Sequence, residues 1–276
     1  MAEVTRLDWF ARFGFFARAI VYILLGYIAL NTRSKADQGQ GAVFDMLRDM
    51  PLGKALLILV AVGLFAYGLF RLFCAFLDLD HKGEGWKGLS QRAGQFFSGI
   101  AHLLLGYTAF TYVSRLGGGG GGGDERSHSA ARTILDLPLG PLLLGLIGLY
   151  LLVTAASQGF KAVKATFMDE IAPDAPNATR VLGRVGHGAR AAVFLLIGWS
   201  FIQAAWFEDE QRTRAVGGAL ASLRDNDTLY VLVAAGLLMF GLFGLILARY
   251  RVVPRIDVRD AARAGAAKGR AAISGR

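Results

Sequence analysis

Cysteine is nearly missing from this chain of 276 residues. The single thiol, Cys74, rules out an internal disulfide, and no Cys/His spacing resembles a metal site. Charge is scarce as well: 18% of residues are Asp, Glu, Lys or Arg, against about a quarter in a soluble domain. What charge there is clusters between apolar runs instead of spreading along helix faces. Inside those runs there is no pair of acids, no Ser/His arrangement and no His-Glu-x-x-His, so neither intramembrane proteolysis nor acid–base hydrolysis has its residues. A haem would need two facing histidines, and His102 stands alone at depth. The chain reads as a non-enzyme without cofactor or metal. Cys74 reads as a small buried apolar residue.

Hydrophobic residues make up 54% of the sequence, and they gather in six runs at about 14–31, 52–77, 93–113, 138–160, 186–206 and 228–249. Each has the roughly 17–25 residues that a bilayer crossing takes. Backbone groups in hydrocarbon must satisfy one another, which makes these runs helices. The formal charge of +9 then points to anionic lipid headgroups rather than to nucleic acid. Lys and Arg are in excess on the side of the two chain ends, chiefly through the tail from Arg249 to Arg276. The positive-inside rule places both termini in the cytoplasm of a bacterium, with the bundle in its plasma membrane. The first run reads as a retained span and not a cleaved signal, because its pattern recurs twice further on.

That pattern is Arg12-x-Gly14-x3-Arg18-x3-Tyr22-x3-Gly26-Tyr27. It returns as Arg92-x-Gly94-x3-Ser98-x3-His102-x3-Gly106-Tyr107 and as Arg184-x-Gly186-x3-Arg190-x3-Phe194-x3-Gly198-Trp199. Each copy opens one span, and a second span follows it. The fold expected is therefore all-α: a polytopic bundle of six transmembrane helices, built as three tandem helical hairpins over about 10–80, 90–165 and 182–250. Even spans per copy give every copy the same topology, which implies a pseudo-threefold axis along the membrane normal. One transmembrane domain covers 1–250, and 251–276 is a basic, flexible tail. The stretch 114–137, with glycine from Gly117 to Gly123, reads as a floppy linker.

Second spans repeat more loosely. Residues 63–70 and 236–243 share five of eight positions, and the middle copy offers Gly148-Leu149 with the lead-in Pro138-Leu139-Gly140, matching Pro51-Leu52-Gly53. Proline there suits the first turn of a helix. A gapped alignment puts Ala156 and Gly244 opposite Arg71, which has Asp78 within reach as a partner.

Four-residue spacing puts the marked positions on one slowly turning ridge of each opening helix. Gly14, Gly26, Gly94, Gly106, Gly186 and Gly198 read as packing positions that let backbones approach, with the three opening helices at the centre. Arg12, Arg92 and Arg184 stand at helix N-termini, where the dipole disfavours a cation, so lipid phosphate is an expected contact. Arg18 and Arg190 lie about 9 Å deeper. They either snorkel to the surface or face the interior, where with Tyr22 and His102 they would line a pathway or grip a phosphate. His187 is interfacial and lacks a second ligand.

These repeats resemble the bacterial domain-of-unknown-function family 1206. The resemblance rests on Arg12-x-Gly14, Arg18, Tyr22, Gly26-Tyr27 and Gly63-Leu64 through Tyr67-Gly68-Leu69-Phe70-Arg71, with their equivalents in the other copies. It covers about 10–250 and implies a six-span protein of three two-helix units. Ser98 in place of arginine and the polyglycine run depart from it, and it implies no activity. The function expected is a non-catalytic binding or scaffold protein, contacting membrane lipid or another membrane protein. The alternative is a small-solute or ion pathway along the pseudo-threefold axis.

Overall fold

Apolar runs bounded by charge fold here as expected. The computed structural model of the protein describes residues 6–32, 38–80, 82–114 and 123–252. In chain order its helices are α1 (Arg6–Asn31), α2 (Gln40–Asp49), α3 (Gly53–Leu77), α4 (Trp86–Ser114), α5 (Gly123–Leu135), α6 (Gly140–Lys164), α7 (Thr179–Phe207), α8 (Val216–Ala221) and α9 (Asp227–Tyr250). Six of them, α1, α3, α4, α6, α7 and α9, are long and apolar enough to cross a membrane. The protein is a six-span membrane bundle of three tandem hairpins. Each hairpin carries a short helix (α2, α5 or α8) at the turn, on the side away from the chain ends.

Those short helices correct the linker reading of the stretch around 114–137, because α5 begins at Gly123. Most of the glycine run, and the tail beyond Val252, fall outside the described residues. Helix α2 is held by one apolar face, with Ala42, Val43, Phe44 and Leu47 buried, and the Phe44 ring stands edge-on to Tyr112 at 5.5 Å. Asp124 of α5 ties the hairpin turns together: its carboxylate accepts from the backbone N–H of Ala215 at 2.6 Å and of Gly218 at 3.3 Å. The prolines of the lead-ins sit just before the helices, not in their first turn. Leu52 and Leu139 take the same left-handed conformation, φ 63°, and it is Pro141 that occupies the first turn of α6.

Each second span packs closely on the first span of the next repeat: α3 on α4, α6 on α7, and α9 back on α1. Within repeats, α1 packs on α3 and α7 on α9. The opening helices do not pack closely on one another, which corrects the expectation of a central trio. The ridge geometry explains why. Four residues turn about 400°, so Gly14 and Gly26, twelve apart, face directions about 120° apart. A Cβ on Gly14 would lie 2.6 Å from the backbone N of Tyr67 in α3, and one on Gly26 would lie 2.6 Å from that of Leu238 in α9. The glycine ridge thus serves two second spans in turn.

The middle repeat breaks the pattern. Helices α4 and α6 do not pack closely. In repeats one and three the hairpin closes on small pairs, with Gly63 against Ala17 and Gly236 against Ala189. The equivalent pair in repeat two is Phe97 and Tyr150, whose rings stand 4.6 Å apart between centroids. Two aromatic side chains prop the hairpin open where a hydrogen and a methyl let the others shut. Gly94 meets nothing nearer than the Tyr150 hydroxyl, at 4.0 Å.

Candidate functional site

Arg18 of α1, Arg71 of α3 and Arg190 of α7 turn into the bundle at one depth. By a rise of 1.5 Å per residue, Arg18 lies about 9 Å from Arg12, Arg71 about 9 Å from Leu77 and Arg190 about 9 Å from Arg184. Arg18 is 6% exposed, and its Nη1 donates to the Tyr67 hydroxyl at 2.5 Å. Its guanidinium carbon stands 4.6 Å from the Tyr67 ring centroid and 5.1 Å from that of Phe240. Arg190 lies on the same Phe240 ring at 4.5 Å, with Phe194 at 5.0 Å and Tyr22 at 5.7 Å. Cation–π contact of this kind contributes about 2 kcal/mol when desolvated. It leaves each charge in place.

Among the described residues, no carboxylate pairs with Arg18, Arg71 or Arg190, and the Nε of each is buried without a hydrogen-bond partner. Arg18 is buried outright and Arg71 and Arg190 are half-buried; an uncompensated cation in a low-dielectric interior is unfavourable by several kcal/mol. Arg71 does not pair with Asp78, whose carboxylate accepts from the N–H of Lys82 and Gly83 at 2.7 and 2.8 Å. His102 completes the group. Its Nδ1 donates to the Ser98 carbonyl at 2.7 Å, and its ring stands edge-on to Tyr67 at 4.5 Å, within electrostatic range of all three arginines. Since a carbonyl only accepts, Nδ1 carries a proton. Arg18, Tyr22, His102, Arg190 and Phe194 therefore converge on one interior site, joined through Tyr67 and Phe240.

Arg12, Arg92 and Arg184 point elsewhere. Arg12 Nη1 donates to the carbonyls of Ala248 and Arg249 at the end of α9. Arg92 donates to those of Ala75 and Phe76 at the end of α3, at 2.8 and 3.2 Å, and Arg184 to that of Val163 near the end of α6 at 2.7 Å. Each arginine grips the negative end of the second span packed against its helix from another repeat. The helices begin at Arg6, Trp86 and Thr179, so each arginine stands beyond the first turn, which corrects the expectation that it sits at a helix N-terminus.

Below the cluster, an ion-pair knot joins the exits of the three hairpins. Arg251, 6% exposed on its side chain, reaches Asp80 at 3.2 Å with Nη2 and Glu170 at 2.8 Å with Nη1. Gln95 donates to Asp80 at 2.7 Å, and Lys82 lies 3.5 Å from Glu170. Burial alone would push the Glu170 carboxyl up. The charges of Arg251, Lys161 and Lys82 outweigh it and hold the group near 2. Burial likewise pulls Arg251 down, but Glu170 and Asp80 raise it further.

The family model described as Domain of Unknown Function (DUF1206) matches residues 13–78, 93–165 and 185–251. The chain belongs to the DUF1206 family. It is 34% identical to the uncharacterized protein YxxB of Bacillus subtilis (strain 168) over 253 residues, which is 88% of this chain and 90% of that one. No solved structure matches it. The three DUF1206 segments begin just after Arg12, Arg92 and Arg184, and the third ends on Arg251, so the clamps and the knot bound the repeats.

The contacts also reset the register of the middle DUF1206 repeat. Gly26, Gly106 and Gly198 meet Leu238, Phe65 and Leu152 respectively, which makes these three equivalent. Gln158 and Gly244 then stand where repeat one has Arg71, and Thr154 and Phe240 where it has Tyr67. Ala156 is displaced from that position. The signal was in the sequence: Pro51-Leu52-Gly53 and Pro138-Leu139-Gly140 are 87 residues apart, as are Arg71 and Gln158. His187 is buried on Gln158, its Nδ1 donating to Oε1 at 2.6 Å, with its ring stacked on Phe167. Asp80, Glu170 and Arg251 carried no sequence signal, because each looked like one more loop charge.

Proposed function

We propose that this protein is a non-catalytic binding protein of the bacterial plasma membrane, with both termini in the cytoplasm, that holds the headgroup of an anionic lipid. The observation that carries this reading is the cluster of Arg18, Arg71 and Arg190, with no carboxylate among the described residues to neutralise it. Arginine presents a planar fork of donors that suits phosphate oxygens. Cytoplasmic leaflets are rich in anionic lipid, and the Lys/Arg excess at the chain ends supports an orientation with the cluster near that leaflet. A lipid headgroup suits the cluster better than a protein partner, because Arg18 is buried and Arg71 and Arg190 are half-buried within spans that lie in the bilayer.

The full chain purified in mild detergent, then analysed for retained phosphatidylglycerol by native mass spectrometry, tests the reading. R71Q and R190Q should each lose the lipid without a fall in melting temperature. Equal retention by wild type and both variants would overturn it.

A second reading, a pathway for small solutes or ions, is favoured by the convergence of Arg18, Tyr22, His102, Arg190 and Phe194. It requires a flux in liposomes that R18Q or H102A alters. Sealed liposomes for every anion, cation and proton gradient tried would refute it.

A further inference from the structure

We infer that the lipid phosphate enters sideways, through the seam between α4 and α6, while the acyl chains stay in the bilayer along the Phe97 face. This rests on the headgroup reading above and adds the route and the source of the anion.

Four observations meet at that seam. Of the three hairpins, only this one fails to close, because Phe97 and Tyr150 stand where the others have Ala17 with Gly63 and Ala189 with Gly236. The two flanking spans are also the least covered by protein: 28% of the apolar stretch of α4 and 22% of that of α6 are buried, against 39% or more in the other four. Phe97 itself is 49% exposed. Helices that bury so little either have a lipid annulus along them or receive something from it.

Behind the seam the chemistry changes from apolar to polar. The Tyr150 hydroxyl lies within electrostatic range of both Arg71 and Arg190. The middle repeat places Ser98, His102, Thr154 and Gln158 where the other repeats have Arg18 and Arg190, Tyr22 and Phe194, Tyr67 and Phe240, and Arg71 and Gly244. These four are uncharged donors and acceptors on the side of the cluster that has no cation of its own. A phosphate set there would face arginines from α1, α3 and α7, and hydroxyls and amides from α4 and α6.

Among the described residues, ties also cross both ends of the bundle. On the side of the chain ends, Arg251 binds Asp80 and Glu170 across the mouth. On the far side, α8 is held to α5 through Asp124, and the Tyr230 hydroxyl donates to the Ala29 carbonyl at 2.9 Å. The open seam faces hydrocarbon, where a free phosphate ion is prohibitively unfavourable. A phosphate carried on a lipid starts in the headgroup layer at the span ends and needs to move only about 9 Å along the seam while its acyl chains stay in hydrocarbon.

The test copies the closed hairpins into the open one. The double variant F97A/Y150G, as full chain, is compared with wild type for phosphatidylglycerol retention by native mass spectrometry, with phosphatidylcholine as the neutral lipid and inorganic phosphate probed by thermal shift. The inference expects about a tenfold loss of phosphatidylglycerol, a difference of ~1.4 kcal/mol, at an unchanged or raised melting temperature. Retention equal to wild type refutes the lateral route and leaves the headgroup reading standing. Wild type that retains no phosphatidylglycerol refutes both. Stabilisation of both proteins by inorganic phosphate alone refutes the lipid source. Should the double variant fail to fold, photo-crosslinkable phosphatidylglycerol on wild type decides: labels on α4 and α6 peptides support the seam, and labels on α1 and α9 overturn it.

Discussion

Replacing Arg251 by glutamine removes one guanidinium and leaves two carboxylates facing each other across the mouth of the bundle. Asp80 is 8% exposed on its side chain and would keep only the Gln95 amide, while Glu170 is 32% exposed and would keep Lys82 at 3.5 Å. Breaking a buried pair from one side is unfavourable by about 3–5 kcal/mol. The partial exposure of Glu170 places this case at the lower end, about 3 kcal/mol. At ~2–4 °C per kcal/mol for a chain of this size, R251Q should melt roughly 10 °C below wild type in detergent. The loss should depend on pH. A carboxyl depressed from 4.5 to about 2 in the folded protein contributes stability above pH 4.5, and loses it as pH falls through 2. The gap between wild type and R251Q is therefore full at neutral pH and shrinks on acidification below about 4.5. Melting temperatures within about 2 °C of each other at pH 7, or a gap that persists unchanged at pH 3, would refute the knot as a stabilising element.

Three further outcomes follow from the same contacts. R92Q loses charge-assisted bonds to two helix-end carbonyls and R184Q to one, so thermal melts should show R92Q lower, each by about 1–3 kcal/mol. Adding a methyl at Gly26 drives a Cβ to 2.6 Å from the Leu238 backbone, so G26A should destabilise by about 1–3 kcal/mol while G94A, facing only a hydroxyl at 4.0 Å, should melt like wild type. Leu139 sits at φ 63°, and L139G should raise the melting temperature by relieving ~1 kcal/mol of left-handed strain.

Most of the architecture was readable because a membrane span leaves a crude, strong signal: length, apolarity and flanking arginine. The threefold Arg-x-Gly opening marked the repeat; five of the six ridge glycines meet a neighbouring helix closely, whereas Gly94 meets only the Tyr150 hydroxyl at 4.0 Å. Their partners were not readable, since a ridge that turns 40° every four residues faces two neighbours and a single sequence does not name them. The middle register failed for a related reason. Gly148-Leu149 imitates Gly63-Leu64, and small-residue pairs recur by chance in helices this rich in glycine and leucine. Arg18, Tyr22, His102 and Arg190 were legible as a face because they break apolar periodicity. Arg71 was legible as a charge, but its place beside them depends on how α3 packs on α1. The knot of Asp80, Glu170 and Arg251 joins residues up to 171 positions apart, and nothing local marks any of the three.

Arg12 holds the end of α9, and Gly26 seats on Leu238, so the first span made is completed by the last. During synthesis, α1 enters the membrane with two glycine faces uncovered and waits for more than two hundred residues before its second neighbour arrives. A chain stopped after repeat two would leave that flank bare to lipid and to any other copy nearby. The same closure makes the order of the repeats arbitrary. A gene rearranged to begin at repeat two and to end at repeat one, with a linker across the present ends, would rebuild the same neighbours around the same arginines.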